Sequence, residues 1–145
     1  MSMDPAKLLE IQRRVTHEHM AAEDAGDWDR TMKTYANREE ATFDAVPMNQ
    51  VFLGKEQIRG FYDAVSSALP DVRFPIITES HVPSLSILET EPHGTHTGAD
   101  FAGIKANGKK VKVRLAAFFV FDKNTGEMLC ERAYWDMETL LSQMR

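Results

Sequence analysis

The sequence predicts an α+β fold, a curved, antiparallel-rich sheet wrapped around three N-terminal helices and closed by a short C-terminal helix. Three observations predict it. Apart from the terminal helix, helical periodicity is confined to the stretch before Pro70, and period-two alternation dominates after it. A strand over residues 128–135 then hands over directly to a helix, with Asp136 placed to cap it and Glu138, Leu140 and Leu141 at helical spacing behind.

The elements follow in order. From Asp4, with Pro5 at a first helical position, Leu8, Leu9, Ile11, Val15, His19 and Ala22 recur at helical spacing up to Gly26. A second helix is expected over Trp28 to Tyr35, capped by Asp27, and a strand over ATFDAV. A third helix spans Lys55 to Leu69 and stops at Pro70. Strands are expected over Val72 to Val82 and Leu85 to Thr97, which carry His81, His93 and His96, with a loop from Gly98 to Asn107. Val111 to Phe121 alternates as one long strand with an apolar face, and the turn Asp122 to Gly126 joins it to the last strand.

With 145 residues, 43% of them hydrophobic, the chain suffices for one domain, residues 1–145, with a core that needs neither disulfides nor metal. Seventeen basic against 22 acidic residues, net −5, argue against a nucleic-acid or anionic-membrane surface, because such binding rests on clustered Lys and Arg. The lone Cys130 cannot form an internal disulfide and is read as an inert thiol. No apolar leader and no membrane-length run is visible, so a cytoplasmic location is expected. His93 and His96, three apart on a strand, point to opposite faces, and no carboxylate completes a ligand set, so no metal and no cofactor is assigned.

Four stretches, AGDWD, GKEQIRGFYDAVSSALPD, GTHTGADFAGI with GKKVKV behind it, and ERAYWDMETLLSQM, occur in an order and spacing similar to the SnoaL-like polyketide cyclase branch of the nuclear transport factor 2-like superfamily. The resemblance covers nearly the whole chain. It implies a cone-shaped barrel around a deep apolar pocket, usually dimeric through the outer sheet face, in a group that includes cyclases, isomerases, lyases such as dehydratases, and non-enzymatic members. Position by position, the cyclases' acid on the last strand falls on Ala133, and a polar position on the strand before falls on Ala117. The isomerases' general base lands near Ala45, and their helix-one tyrosine on His19.

If Ala133 faces the pocket, alternation brings Glu131 and Trp135 there too. Burial would raise the pKa of Glu131 and make it a general acid or base; the other reading pairs it with Arg114 or Arg132 at the sheet edge. His19 points inward on helix one, either as an oxyanion donor or as a core histidine bonded to a backbone carbonyl. His96 shares strand parity with Leu88 and Thr90 and would reach the pocket with them, with His93 facing out, unless a bulge at Gly94 reverses its facing. Tyr35, Phe43, Phe61, Tyr62, Phe119 and Phe121 make up the aromatic wall.

The expected function is cofactor-independent acid/base chemistry, an isomerisation, cyclisation or dehydration, on an aromatic, polyketide- or steroid-like carbonyl compound. Glu131, His19 and His96 would be catalytic, with Trp135 and Thr90 among the binding residues. The alternative is a non-catalytic module that holds a small apolar or aromatic ligand. A homodimer is expected through Arg114, Ala116, Phe118, Val120, Arg132 and Tyr134, with Glu89 and Glu91 pairing across the two-fold axis.

Overall fold

A computed structural model of the chain describes every residue from Met1 to Arg145. Helix α1 runs from Pro5 to Asp24, with Pro5 at its first position and the Asp4 carboxylate accepting from Lys7 N at 3.1 Å. Its buried side includes Leu8, Gln12, Thr16, His19, Met20 and Glu23, while Ile11 and Val15 are only half-buried. The inward stripe is thus turned slightly from the one hydrophobicity predicts and carries four polar residues. Helix α2 is a single short stretch, Trp28–Met32, capped by Asp27. It stops before Tyr35 because that residue joins the sheet through a bridge to Met128. Helix α3 spans Gly54–Ala68.

Eight strands follow the chain as β1 Thr42–Ala45, β2 Gln50–Leu53, β3 Ile76–Val82, β4 Leu85–Thr90, β5 His93–Thr95, β6 Lys110–Lys112, β7 Leu115–Phe121 and β8 Met128–Trp135, and helix α4 closes it at Met137–Met144. Six strands form one sheet in the order β2-β1-β8-β7-β4-β3, antiparallel except where β1 lies parallel to β8. With β2 and β3 as free edges, the sheet does not close into the expected barrel. Helices and the separate β5–β6 pair complete the enclosure instead.

The long strand expected over Val111 to Phe121 divides at Val113–Arg114, so that β6 pairs with β5 while β7 stays in the main sheet. On the other side of the same break, Pro92 separates β4 from β5, since a residue without an N–H cannot continue the ladder. Gly98 lets this region dock on the end of α3: its N–H donates to Ala68 O at 3.2 Å, and a Cβ there would lie 1.8 Å from Ser67 O.

Two apolar clusters hold the molecule together. One lies between the sheet and the first three helices and includes Met20, Tyr35, Phe43, Tyr62, Leu88, Phe119 and Met128. The other gathers Leu69, Val72, Val111, Val113, Leu140 and Met144 around α4. Asp136 caps α4 by accepting from Thr139 N at 3.0 Å, and Gln143 ties that helix to β6 through both the N–H and the C=O of Lys112. No helix is long and apolar enough to cross a membrane.

Candidate active site

The cavity opens between these two clusters. Its volume is about 100 Å³, comparable to the ~150 Å³ that takes up a single benzene. Most of the wall is apolar, including Phe43, Phe61, Phe74, Leu115, Ala117 and Trp135. Glu23 from α1, Tyr62 from α3 and Glu131 from β8 make it ionisable on one side. Strand alternation puts Glu131, Ala133 and Trp135 on the inner face of β8, opposite Phe119, Ala117 and Leu115 of β7.

Glu131 is 4% exposed, and one of its oxygens gathers three donors. Tyr62 Oη donates to Oε2 at 2.7 Å and Tyr35 Oη at 2.8 Å, while His19 Nε2 lies 3.1 Å away. No side chain or backbone group donates to its other oxygen, Oε1. His19 Nε2 also donates to Glu23 Oε1 at 3.0 Å, so the imidazole stands between two carboxyl groups. Its protonation at Nδ1 follows from the neighbouring bonds. Thr34 gives its hydroxyl proton to Thr31 O at 2.6 Å, leaving Thr34 Oγ1 to accept from His19 Nδ1–H at 2.7 Å.

The electrostatics separate the two carboxyls. Burial pushes the Glu131 carboxyl up, but the charge on His19 and the hydrogen bonds from His19, Tyr62 and Tyr35 outweigh it, and the net direction is down. Burial raises Glu23, and the neighbouring Glu131 charge adds to that against the opposing charge of His19, so Glu23 holds its proton to higher pH than an ordinary glutamate. Burial alone would depress His19; the two carboxyls override it and lift the imidazolium to about 10. Tyr35 and Tyr62 are held well above the usual phenol range by burial and by the Glu131 charge, so they remain donors. Glu131 is therefore a buried carboxylate, not the neutral acid that burial by itself predicts. Neither expected arginine pairs with it: Arg114 bonds Glu89 and Glu91, and Arg132 lies over the Phe118 ring at 5.5 Å.

Phe43, Phe61, Tyr62, Thr90, Trp135 and Glu131 line the cavity. His19, Tyr35 and Phe119 stand one layer behind, the first two bonded to Glu131 and Phe119 packed edge-on to His19 at 5.1 Å. His96 is placed elsewhere. Its Nε2 donates to Ala99 O at 2.9 Å inside the loop, and His93 stands at the cavity wall in its place. The exchange comes from the break at Glu91–Pro92, which cancels any count of strand parity from Leu88 to residue 96. Glu23 is the residue sequence reasoning missed; its signal was a spacing of four from His19 on one helix face. His19, Glu23 and Glu131 place one nitrogen and two oxygens within 4.8 Å of one another, a spacing metal ions also use.

A six-stranded sheet whose helices enclose an apolar cavity with one ionisable side is the ketosteroid isomerase-like, nuclear transport factor 2-like architecture. Within it, the chain belongs to the SnoaL-like polyketide cyclase family, whose model matches residues 13–144. Solved structures agree on the fold. A protein from Jannaschia sp. CCS1 assigned as a SnoaL-like polyketide cyclase superposes with a TM-score of 0.77 at 19% identity, covering 99% of this chain and 95% of that one. AclR from Streptomyces galilaeus, assigned as a hydroxylase, gives 0.79 at 15% identity over 94% and 85%. A ketosteroid isomerase-like protein from Catenulispora acidiphila, solved with trimethylamine, gives 0.72 at 16% over 90% and 91%. No curated protein sequence matches the chain significantly. Membership associates the chain with cyclase-like enzymes at the level of the family.

Proposed function

We propose that this chain is a cofactor-independent enzyme that moves a proton on an aromatic, polyketide- or steroid-like carbonyl compound, in an isomerisation, cyclisation or dehydration. The observation that carries this reading is the pair of carboxyls whose surroundings drive them in opposite directions in one apolar cavity. Glu131 Oε1 takes a proton from the carbon beside the carbonyl, and the Glu23 carboxylic acid gives one to the carbonyl oxygen. His19 touches no substrate; its imidazolium holds Glu131 in the charged form and positions both groups. The reacting centre sits one pleat from the position of the cyclases' acid, because Glu131 precedes Ala133 by two residues, ~6.6 Å along the strand. One ring fills the cavity, so a polycyclic compound enters end-on.

Proton NMR in D₂O tests the reaction directly. Aromatic diketones carrying acidic C–H bonds should exchange those protons at least ~100-fold faster with the protein than in buffer. The presence of Ala117, Ala133 and Ala45 at the family's polar positions favours a second reading, a binding module without turnover. Native mass spectrometry separates the two: no exchange with any compound, together with an apolar ligand retained unchanged, would establish the module and exclude the enzyme.

We infer that the protein pairs as a homodimer through the outer sheet face. Ile87, Phe118 and Val120 lie side by side there with Arg132 and Tyr134, and Tyr134 packs edge-on against Phe118 at 5.6 Å while remaining 43% exposed. Glu89 and Glu91 are already bonded to Arg114 within the chain, so the interface rests on the apolar and aromatic residues and not on the ion pairs anticipated from the sequence. In analytical ultracentrifugation the wild type should sediment as a dimer at micromolar concentration and Phe118→Asp as a monomer. A monomeric wild type would exclude the interface.

A further inference from the structure

We propose that His17, Glu79 and His81 form a binding site for a divalent metal ion of the Zn²⁺ type, at the seam between α1 and the edge strand β3. None of the three lines the cavity, so this site is independent of the proposed reaction. Glu79 and His81 are two apart on β3 and share its inner face, opposite the buried Leu88 and Ser86 of β4. His17 comes from α1, and two residues of helix separate it from His19 by roughly 200° of rotation, so the two imidazoles leave the helix on different sides.

The ligand atoms are already gathered. His17 Nε2 lies 2.8 Å from Glu79 Oε2, and His81 Nε2 lies 3.7 Å from that same oxygen. All three residues offer a ligand atom within 4.8 Å of the others. Two metal–ligand bonds of ~2.1 Å laid end to end span ~4.2 Å, so the three atoms reach a common ion after a shift of well under an ångström.

His81 supplies the independent sign of a ligand. Its side chain is only 5% exposed, and Nε2 is buried with no hydrogen-bond partner, since 3.7 Å to Glu79 is too long for one. Such an orphan is costly unless something binds it. The ring is held by its other nitrogen: Nδ1 lies 2.7 Å from Ser86 Oγ, and Ser86 Oγ accepts from Gln12 Nε2 at 3.2 Å. Gln12 is fully buried and is itself fixed by Val82 O and Ser84 N. In the tautomer that binds a metal, Nδ1–H donates to Ser86 Oγ and Nε2 presents its lone pair toward Glu79 and His17. Outer-shell bonds of this kind characteristically orient metal-binding histidines. Two imidazole nitrogens and one carboxylate oxygen suit Zn²⁺ and its first-row neighbours better than Mg²⁺ or Ca²⁺. Because His17 is 53% exposed, water can complete the coordination. A bound ion would pin β3, which has no partner strand on its outer side, to α1.

The competing explanation is that these residues are inward polar groups that discourage edge-to-edge pairing. Untagged protein stripped with chelator and titrated with Zn²⁺ alone in a calorimeter decides between them. The wild type should bind one ion per chain, and at ~100 times the Kd its Tm should rise by about 5 to 10 °C. His17→Ala and Glu79→Gln should keep the metal-free Tm and lose at least ~10-fold in affinity, and Co²⁺ should give visible absorption in the wild type that His17→Ala lacks. No uptake by the wild type overturns the proposal. So does uptake unchanged in both variants, or uptake abolished by Glu131→Gln, which would relocate the ion to the cavity.

Discussion

Glu131→Gln is expected to lower kcat by about 10² to 10⁴-fold with KM changed little, because it removes the base and leaves the size and shape of the cavity intact. Gln can still accept from Tyr35 and Tyr62, so the fold is expected to persist, and circular dichroism should show it. The pH profile supplies a second readout. Glu131 is held below its ordinary carboxylate value, so the acid limb of wild-type kcat/KM should lie below pH 4.5. On the alkaline side activity should fall as the raised Glu23 loses its proton, and no later than the His19 transition near 10. A Glu131→Gln variant that retains full turnover, measured with whichever carbonyl compound the wild type processes, would remove Glu131 from the mechanism.

His19→Phe is expected to cost about 3 to 5 kcal/mol at neutral pH, the usual consequence of removing one partner from a buried ion pair. The imidazolium is completely buried between Glu23 and Glu131, and without it two carboxyls face each other across an apolar core. The pH dependence has a definite sign. The folded-state pKa of His19 is raised from 6.5 to about 10, so its contribution is fully present below pH 6.5 and is lost as pH rises through 10. Between those limits wild-type stability should decline by roughly 1 kcal/mol per pH unit from this group, a slope the variant lacks. Glu131, with its lowered pKa, contributes stability above 4.5 that is lost as pH falls through its folded value. Urea unfolding of both proteins at pH 5, 7 and 9.5 should give the largest difference at pH 5 and the smallest at pH 9.5. Equal stability at pH 7 would mean that His19 is neutral in the folded protein.

Local signals carried much of this molecule. Pro5 after Asp4, Asp27 and Asp136 as caps, and the alternation of β8 depend on residues within a few positions of one another, and the structure uses each of them as the sequence suggests. Phe43, Phe61, Tyr62, Thr90, Glu131 and Trp135 come to one cavity because strand alternation and helix periodicity decide facing without knowledge of distant partners. The departures arise where that local reasoning has to pass an interruption. Pro92 ends the parity count and sends His96 into its own loop, and the break at Val113–Arg114 moves β6 into a second sheet.

What the sequence determined by itself is the succession of helices followed by strands, apart from β2 and the separation of β5 and β6, the inward face of β8, and most of the aromatic residues and one of the two acids available to one pocket. Only the tertiary structure decided what those groups are chemically. Gln12 and Glu23 are polar residues outside the apolar repeat of α1, yet they are buried there because partners from far along the chain, Val82 and Ser86 for Gln12, or from a turn away on the helix, His19 for Glu23, satisfy them. The charge of Glu131 has the same origin. Burial alone would neutralise it, and it is the meeting of His19, Tyr35 and Tyr62 at one oxygen, across 112, 96 and 69 residues of chain, that holds it ionised. A pKa is set by distances of a few ångströms in space, and separation along the sequence carries no information about those distances.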